Sequence, residues 1–370
     1  MNRRELILAT GAVALAARTR QTAAPAAAAV SAQAHALYER AIVFDANLSP
    51  PISDKFPYPA DVLQMVRDSG VTAVKTSLAG TDAKFEDTVA EIALFQRVIE
   101  AYPQVFMQVR EVADFSKAKR EKRFGILFSF ESANMFEGKV DRIELFRNLG
   151  VRVMQLSYNT TSPFGAGVLA NPCLGLTVSG HKAVEAMNAQ GVAIDLSHAN
   201  AATSTDALAA SKKPVLITHA GCAAVHPHPR NKSDALLRAL ADKGGAVGIY
   251  DLPYLTASPK QPALEDYMAH MTHALTVCGE DHVGIGSDSG LGPFDLSPAG
   301  MEAFQKEEEY RKKTGVAAPE EDRPMYVIGL NTPRRSEVIA DALLQHGYSA
   351  RVAEKVLGAN FVAAFGRIWS

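Results

Sequence analysis

The stretches VAIDLSH at residues 192–198 and VLITHA at residues 215–220 decide the fold of this chain. Each is a short apolar run, rich in β-branched residues, that carries a histidine near its carboxyl end. Continuous apolar runs are typical of parallel strands that are buried on both faces. Residues 202–211, which lie between them, have the amphipathic pattern of a helix. The region therefore predicts a strand, a helix and a second, parallel strand.

The same unit recurs from Leu37 onward, because six more apolar runs alternate with polar loops and helical stretches. Eight such alternations predict an α/β protein with a (β/α)8 TIM barrel. A doubly wound open sheet is the alternative, but no glycine-rich dinucleotide or phosphate loop follows the first run. We interpret a ninth apolar stretch, VFMQV at 105–109, as part of the long second crossover. The six runs are IVFDAN (42–47), VTAVKTS (71–77), FGILFSFES (124–132), VRVMQLS (151–157), AVGIYDL (246–252) and HVGIGSD (282–288).

The composition is that of an ordinary globular protein, with 370 residues, 47% of them hydrophobic. The chain has 38 basic and 40 acidic side chains, so its charge gives no reason to expect nucleic acid as a partner. The cysteines Cys173, Cys222 and Cys278 form no CxxC pair, which argues against thiolate metal sites and a disulfide scaffold. A metal ion would therefore have to be bound by histidine and carboxylate groups.

The segment 1–36 differs from the rest of the chain. Arg3 and Arg4 precede an apolar run from Leu6 to Ala17, and small residues follow it. This order is typical of an export signal, and the paired arginines indicate the twin-arginine type. The run is too short to span a membrane, which takes about 20 residues. We therefore expect an export leader at 1–36, one catalytic barrel domain at 37–370, and a periplasmic or secreted protein without a stable membrane span.

Polar side chains that can bind a metal ion or transfer protons follow five of the predicted strands. In a barrel, the carboxyl ends of the strands meet on one face, where active sites are formed. Two imidazoles and a carboxylate suit zinc with an open coordination position, and a further aspartate could transfer protons. The five residues are Asp45, Glu131, His198, His219 and Asp288.

Several motifs resemble those of the membrane (renal) dipeptidase family of zinc-dependent barrel hydrolases, and they cover the chain from about Leu37 to Trp369. The resemblance implies a barrel that holds two zinc ions bridged by a glutamate and a hydroxide, which attacks the scissile carbonyl of a dipeptide. The motifs are GVRVMQLSYN (150–159), GLTVSGHKAVEAMNAQGVAIDLSHAN (175–200), ITHAG (217–221), HPRNKSD (228–234), VGIGSD (283–288) and HGYSARVAEKVLGANFVAAFGRIW (346–369).

Carried over by position, the resemblance implies a role for each matching residue. Glu131 corresponds to the bridging glutamate, and His198 and His219 correspond to the two histidines of one zinc ion. Arg230 corresponds to the arginine that receives the carboxylate of the substrate, a task that suits the bidentate guanidinium group. Asp288 corresponds to the acid that handles protons for the tetrahedral intermediate and the leaving amine.

The chain departs from the family pattern after its first strand, where the family has a DGHxD-like motif. This sequence reads DANLS at 45–49, which places Asn47 at the histidine and Ser49 at the second aspartate. An amide or a hydroxyl is a poor zinc ligand beside imidazole or carboxylate. We therefore predict one well-formed zinc site per chain and a degenerate second site, at which Asp45 could compensate.

A second departure is Tyr158, which stands where the family has the histidine of an LTHN motif. That histidine is thought to polarise the carbonyl of the substrate. A tyrosine hydroxyl can also donate a hydrogen bond to an oxyanion, but it carries no positive charge. We predict Tyr158 and Asp288 as the catalytic residues.

Two further regions have open interpretations. His270 and His273 are spaced for one helix face, and without a carboxylate partner we expect them at the surface. The Pro-rich segment from Leu291 to Leu330 predicts either a lid or a subunit contact, as in a homodimer.

The main hypothesis is an exported, metal-dependent hydrolase that cleaves a dipeptide or a related amide with a free carboxylate. One alternative is a catalytically reduced protein that binds a peptide-like ligand, which the changes at Asn47, Ser49 and Tyr158 suggest. Another is an enzyme of a dedicated biosynthetic pathway. In each case the partner is a small molecule or dipeptide.

Overall fold

The structure is a computed structural model that describes residues 30–370. The predicted twin-arginine motif and the apolar run that follows it lie outside the described residues. Within 30–370, no helix combines the length and the apolar character needed to cross a membrane.

Eight parallel strands close into a barrel, because β1 pairs with β3 on one side and with β10 on the other. The barrel order is β1, β3, β5, β6, β7, β8, β9 and β10, so the predicted (β/α)8 fold is confirmed and the open sheet is excluded. In chain order the strands are β1 (Phe44–Asp45), β2 (Leu48–Ser49), β3 (Ala73–Ser77), β4 (Phe106–Gln108), β5 (Phe124–Phe130), β6 (Val151–Gln155), β7 (Ala193–Asp195), β8 (Leu216–Ala220), β9 (Ala246–Ile249), β10 (Val283–Ile285) and β11 (Ser289–Gly290).

The ninth apolar stretch is a strand as well as part of the second crossover. Its residues form β4, which pairs in parallel with the first half of β5 from Phe106 against Phe124 onward. Strand β6 pairs with β5 only from Phe128 onward, so the first half of β5 is free to take a second partner on that side. The interpretation of VFMQV as a plain crossover was therefore incomplete.

Helices surround the barrel, and several begin at a capping side chain. Thr177, Asn200 and Ser233 each accept a hydrogen bond from the backbone N–H three residues later. The helices are α1 (Ala32–Arg40), α2 (Ala60–Asp68), α3 (Phe85–Ala101), α4 (Ala113–Glu121), α5 (Arg142–Asn148), α6 (Val178–Ala189), α7 (Ala201–Ala210), α8 (Asp234–Asp242), α9 (Leu264–Cys278), α10 (Pro298–Lys313), α11 (Arg335–Gln345), α12 (Ala350–Glu354) and α13 (Asn360–Trp369), with a π-helical turn at Lys355–Ala359.

The amino end of the barrel is filled by apolar side chains. Phe44 of β1 makes edge-to-face contacts with Phe115, Phe361 and Phe365, the last two of which belong to α13. Small and apolar residues from the barrel strands complete this cluster. The predicted site residues lie at the opposite, carboxyl end of the barrel strands.

Two glycines allow the barrel backbone to come close to β8. A Cβ atom at Gly286 would lie 1.8 Å from the carbonyl oxygen of Thr218, and one at Gly248 would lie 2.2 Å from the same oxygen. A side chain at either position would therefore push against the residue that precedes His219.

We expect Gly286→Ala to lower the free energy of unfolding by about 1–3 kcal/mol, because overpacking a closed interior forces the backbone apart. Gly366→Ala in α13 is the matched control, since a Cβ atom there meets nothing within 4 Å. A helical glycine replaced by alanine should gain up to about 1 kcal/mol. Denaturant unfolding of the two variants measures the difference, and equal stabilities would contradict this account of Gly286.

Candidate active site

The two histidines at the carboxyl ends of β7 and β8 face each other. Their Nε2 atoms are 3.0 Å apart, and both side chains are buried. The Nδ1 atom of His198 donates to Oδ1 of Asn159 at 2.7 Å, and Nδ1 of His219 lies 2.9 Å from the hydroxyl of Thr218. Because the Nδ1 atoms of both histidines make hydrogen bonds, the Nε2 lone pairs of the two rings can bind one metal ion.

Asp195 holds this arrangement together from inside the barrel. Its Oδ2 atom accepts hydrogen bonds from the Thr218 hydroxyl at 2.6 Å and from Nε2 of Gln155 at 3.0 Å. Its Oδ1 atom accepts from the backbone N–H and the hydroxyl of Ser197, at 3.0 and 2.5 Å. The ammonium group of Lys75 on β3 lies 3.6 Å away, and both charged groups are fully buried. Because the Thr218 hydroxyl donates to Asp195, it is left to accept from His219.

The backbones of both histidines are tied to the same network. The N–H of His198 donates to Oε1 of Gln155 at 3.2 Å, and the N–H of His219 donates to the Ser197 hydroxyl at 3.1 Å. Sequence reasoning missed Asp195 and Asn159. Asp195 could have been noticed as a carboxylate inside the apolar run that precedes His198, and Asn159 as an amide next to Tyr158.

Glu131, at the carboxyl end of β5, completes the group. The ligand atoms of Glu131, His198 and His219 all lie within 4.8 Å of one another, and the three residues are buried. Two imidazole nitrogens and a carboxylate form a donor set that fits one zinc ion with an open position. Within residues 30–370, this is the one group of three or more His, Cys, Asp or Glu side chains close enough to hold a metal ion.

Asn47 lies between two carboxylates. Its Nδ2 atom donates to Oε1 of Glu131 and to Oδ1 of Asp288, both at 2.7 Å. The backbone also holds Asp288 in place, since its N–H donates to the carbonyl oxygen of Asn47 at 2.7 Å and β11 pairs with β2 directly beyond. Two carboxylates that contact the same side chain repel each other. The two hydrogens of the Asn47 amide reduce this repulsion without a cation, because each carboxylate accepts one of them.

Asp288 has a backbone φ of 56°, in the left-handed region that side-chain-bearing residues rarely adopt. Such conformations persist where the surrounding structure imposes them, and they cluster at functional sites. Here two hydrogen bonds to Asn47 accompany it, and the Asp288 carboxylate contacts the same amide as Glu131.

The structure does not bring Asp45 into the group around the histidines. Its Oδ1 atom accepts hydrogen bonds from the backbone N–H groups of Asn47 and Ser287, each at 3.0 Å. Burial raises the pKa of the Asp45 carboxyl above its ordinary value. Asp45 thus shapes the turns that carry Asn47 and Asp288 rather than offering a ligand beside Glu131. Ser49 lines the neighbouring cavities.

Tyr158 and Arg230 both contact His198. The phenol ring of Tyr158 stacks on the imidazole, with ring centroids 4.1 Å apart and planes inclined by 27°. The guanidinium of Arg230 is buried, donates to the carbonyl oxygen of Ser197, and places Nη2 3.2 Å from Nε2 of His198. A buried guanidinium beside the ligand cluster is suited to an anionic group such as a carboxylate.

The loop that carries Arg230 is fixed by several buried contacts. The backbone N–H of Arg230 donates to Nδ1 of His228 at 3.2 Å, and burial lowers the pKa of His228 to about 4. Nζ of Lys232 donates to the carbonyl oxygen of Ala199 at 2.8 Å, and burial lowers the pKa of this amine to about 7. The first bond stiffens the loop after β8 and the second connects it to the loop after β7, so Arg230 and His198 keep their relative positions.

His270 differs from expectation, because it is buried rather than exposed. Its Nδ1 atom accepts from the N–H of Cys222 at 2.8 Å, and its Nε2 atom lies 2.8 Å from the carbonyl oxygen of Leu255. Burial lowers its pKa to about 4, so it is a neutral structural residue. His273, three residues later, pairs with Asp234 at 2.8 Å.

Two cavities meet at the mouth of the barrel. One, of about 560 Å³, adjoins Asn47 and Glu131, and the other, of about 160 Å³, adjoins Tyr158, His198 and Arg230. Asp288 lines both of them, as do residues of α10 from the segment Leu291–Leu330. That segment therefore lies over the site, as the lid interpretation requires.

A family model described as membrane dipeptidase, peptidase family M19, matches residues 31–310. The barrel strands and the Glu131, His198 and His219 group lie within this match, so the resemblance seen in the motifs is confirmed.

Individual proteins agree with the family match. The dipeptidase tcpJ of Claviceps purpurea is 28% identical over 283 residues, which cover 76% of this chain and 59% of that protein. An amidohydrolase from Pseudomonas aeruginosa has a TM-score of 0.80 and 29% identity, and the superposition covers 91% of this chain and 99% of that one.

A metallopeptidase from Rhodobacter sphaeroides, liganded with a phosphinate mimic of the dipeptide L-Ala-D-Ala, shares the fold with a TM-score of 0.69 and 20% identity. The superposition covers 88% of this chain and 99% of that one. The chain therefore belongs to the membrane dipeptidase family, peptidase family M19.

Proposed function

We propose that this protein is an exported, zinc-dependent dipeptidase that uses one metal ion and requires a free carboxylate on its substrate. The observation that carries the proposal is the group of Glu131, His198 and His219 directly beside the buried guanidinium of Arg230. The first group suits hydrolysis of an amide, and the second suits recognition of a carboxylate next to it.

In this proposal each residue has a task that follows from its contacts. Glu131, His198 and His219 would hold the zinc ion, whose chemistry there is to lower the pKa of water and to polarise a carbonyl group. Arg230 binds the carboxylate of the substrate and thereby fixes the scissile bond over His198. The hydroxyl of Tyr158 donates to the carbonyl oxygen, where negative charge develops.

Asp288 is suited to move a proton to the leaving amine. It lies at the boundary of the two cavities, so its carboxylate can reach both sides of a bound amide. The Asn47 amide holds one of its oxygens at 2.7 Å, which fixes the direction of the other.

The same amide supports a single metal ion. A second ion would have to lie between Glu131 and Asp288, and that space is taken by Nδ2 of Asn47 at 2.7 Å from each carboxylate. The alternative of a catalytically reduced protein gains no support, because Glu131, His198 and His219 lie together and Asp288 lies beside them. A dedicated biosynthetic pathway remains a prediction.

The proposed export rests on the amino-terminal sequence, and contacts at the start of the fold support one position for cleavage of the leader. The N–H and hydroxyl of Ser31 donate to Oδ1 of Asp341, at 3.1 and 2.5 Å, and α1 begins at the next residue. Leu37 and Tyr38 of α1 are fully buried. These contacts support cleavage before Ser31, within the predicted leader at 1–36.

The experiment that tests the function combines metal analysis with a panel of dipeptides. We expect about one zinc ion per chain, activity that chelation abolishes, and a loss of at least about 100-fold in kcat for Asp288→Asn with unchanged metal content. Asp242→Asn, an exposed carboxylate in α8, is the control. If the metal-loaded protein cleaves no dipeptide, the proposal is wrong.

Asn47→Asp tests the single metal ion. The substitution keeps the shape of the side chain but places a third carboxylate beside Glu131 and Asp288. We expect metal analysis in excess zinc to rise from about one ion to about two per chain, because three carboxylates require a cation. Asn148→Asp makes the same charge change at an exposed site and should leave the content unchanged. Two ions in the unmodified protein would contradict the role given to Asn47.

Arg230→Gln tests recognition of the carboxylate. We expect kcat/KM for a dipeptide to fall by about 30–1000-fold, the factor for losing one partner of a buried charge pair. A dipeptide with an amidated carboxyl end should be cleaved equally poorly by both proteins. Arg238→Gln, whose side chain is 60% exposed on α8, should behave as the unmodified protein. A fall of the same size for the amidated substrate would instead indicate a structural role.

A further inference from the structure

Arg311 lies near the end of α10, one residue beyond the part of the chain that the family model matches. Its side chain is only 13% exposed and lines both cavities at the barrel mouth. A buried guanidinium at this boundary is close to the reacting groups, and the proposed function gives it no task.

The orientation of the Arg311 side chain is fixed by Glu321. Nε donates to Oε2 of Glu321 at 2.7 Å, and Nη2 donates to Oε1 at 2.8 Å, which is a bidentate pair of planar groups. The hydroxyl of Tyr254 donates to the same Oε1 at 2.6 Å and so fixes the carboxylate in turn. Bidentate pairing holds the guanidinium plane more rigidly than an ammonium group could be held.

The fixed guanidinium contacts Tyr158. Nη2 of Arg311 lies 3.3 Å from the phenol oxygen and donates to it, and the guanidinium carbon lies 5.9 Å from the ring centroid. The ring also stacks on His198, with centroids 4.1 Å apart. Tyr158 therefore contacts both the guanidinium of Arg311 and His198, one of the three residues that could hold the metal ion.

This contact affects how the phenol can donate. Because the oxygen accepts a hydrogen bond from Arg311, the hydroxyl hydrogen must point away from Arg311. A hydroxyl that accepts a charge-assisted hydrogen bond also donates more strongly, since the bonds in a chain polarise one another. Both effects support the role of Tyr158, because its phenol occupies the position of the histidine in the LTHN motif of the family.

We propose that Arg311 is a positioning residue for Tyr158, which it orients and polarises as the hydrogen-bond donor to the oxyanion of the reaction. This inference rests on the proposed function, in which Tyr158 donates to the substrate carbonyl. It also gives α10 a role beyond covering the site, because α10 supplies Arg311, the middle residue of the hydrogen-bonded series Glu321, Arg311 and Tyr158.

Arg311→Met, Tyr158→Phe and the double variant test the coupling. We expect Arg311→Met to lower kcat by about 10–100-fold with KM changed less than about 3-fold, because the donor acts on the transition state. In the Tyr158→Phe background the same change should cost less than about 2-fold, since its effect passes through the hydroxyl. Arg311→Lys should be intermediate, because it keeps a charge but loses the bidentate pair.

Lys312→Met is the matched control, since Lys312 is exposed on the same helix and pairs with Glu308. It should retain the kcat of the unmodified protein. Equal losses for Arg311→Met with and without the Tyr158 hydroxyl would overturn the proposal. Loss of bound metal in Arg311→Met would also overturn it, because that result indicates a structural role.

A binding measurement separates this inference from the proposed function. A phosphinate dipeptide mimic carries a tetrahedral anionic centre, so its affinity should fall by about 10–100-fold in Arg311→Met and in Tyr158→Phe, with no further loss in the double variant. Unchanged affinity in Arg311→Met would refute the inference. If the unmodified protein cleaves no dipeptide, the proposed function fails, and calorimetry with the phosphinate still decides the role of Arg311.

Discussion

The active site depends on one buried carboxylate, that of Asp195. An ionised carboxylate inside a protein is costly unless it is paired and fully hydrogen-bonded. Here it receives hydrogen bonds from three consecutive strand regions and lies 3.6 Å from a buried lysine of β3. Its partners are also the groups that hold the backbones and rings of the two histidines. The positions of His198 and His219 therefore follow from the way in which the barrel pairs and hydrogen-bonds the Asp195 carboxylate.

The two ends of the barrel have different tasks. Its amino end is packed with aromatic and small apolar residues, which supply stability. Its carboxyl end holds the Glu131, His198 and His219 group, and neighbouring side chains hold the residues of the site in position. Glu131 and Asp288 are joined by Asn47, His198 is oriented by Asn159, and Tyr158 lies between His198 and Arg311.

The barrel and the metal group could be predicted from the sequence because both depend on local patterns. Apolar runs mark the strands, and a histidine at the end of such a run must face the carboxyl end of a barrel. The role of Asn47 could not be predicted. Sequence shows that a ligand is missing, but only the fold shows that its amide joins two carboxylates 84 and 241 residues away along the chain. Arg311 was hidden for the same reason, within a charged helix segment that resembles a solvated surface.

The contact of Phe44 with Phe361 and Phe365 has a consequence for the order of events during synthesis. Strand β1 and helix α13 complete one aromatic cluster, so the amino end of the barrel stays open until α13 has left the ribosome. Contacts between residues this distant in sequence form late, because loop-closure entropy opposes them. Partial chains that lack α13 would expose the apolar interior at this end of the barrel, and exposed apolar surface favours aggregation.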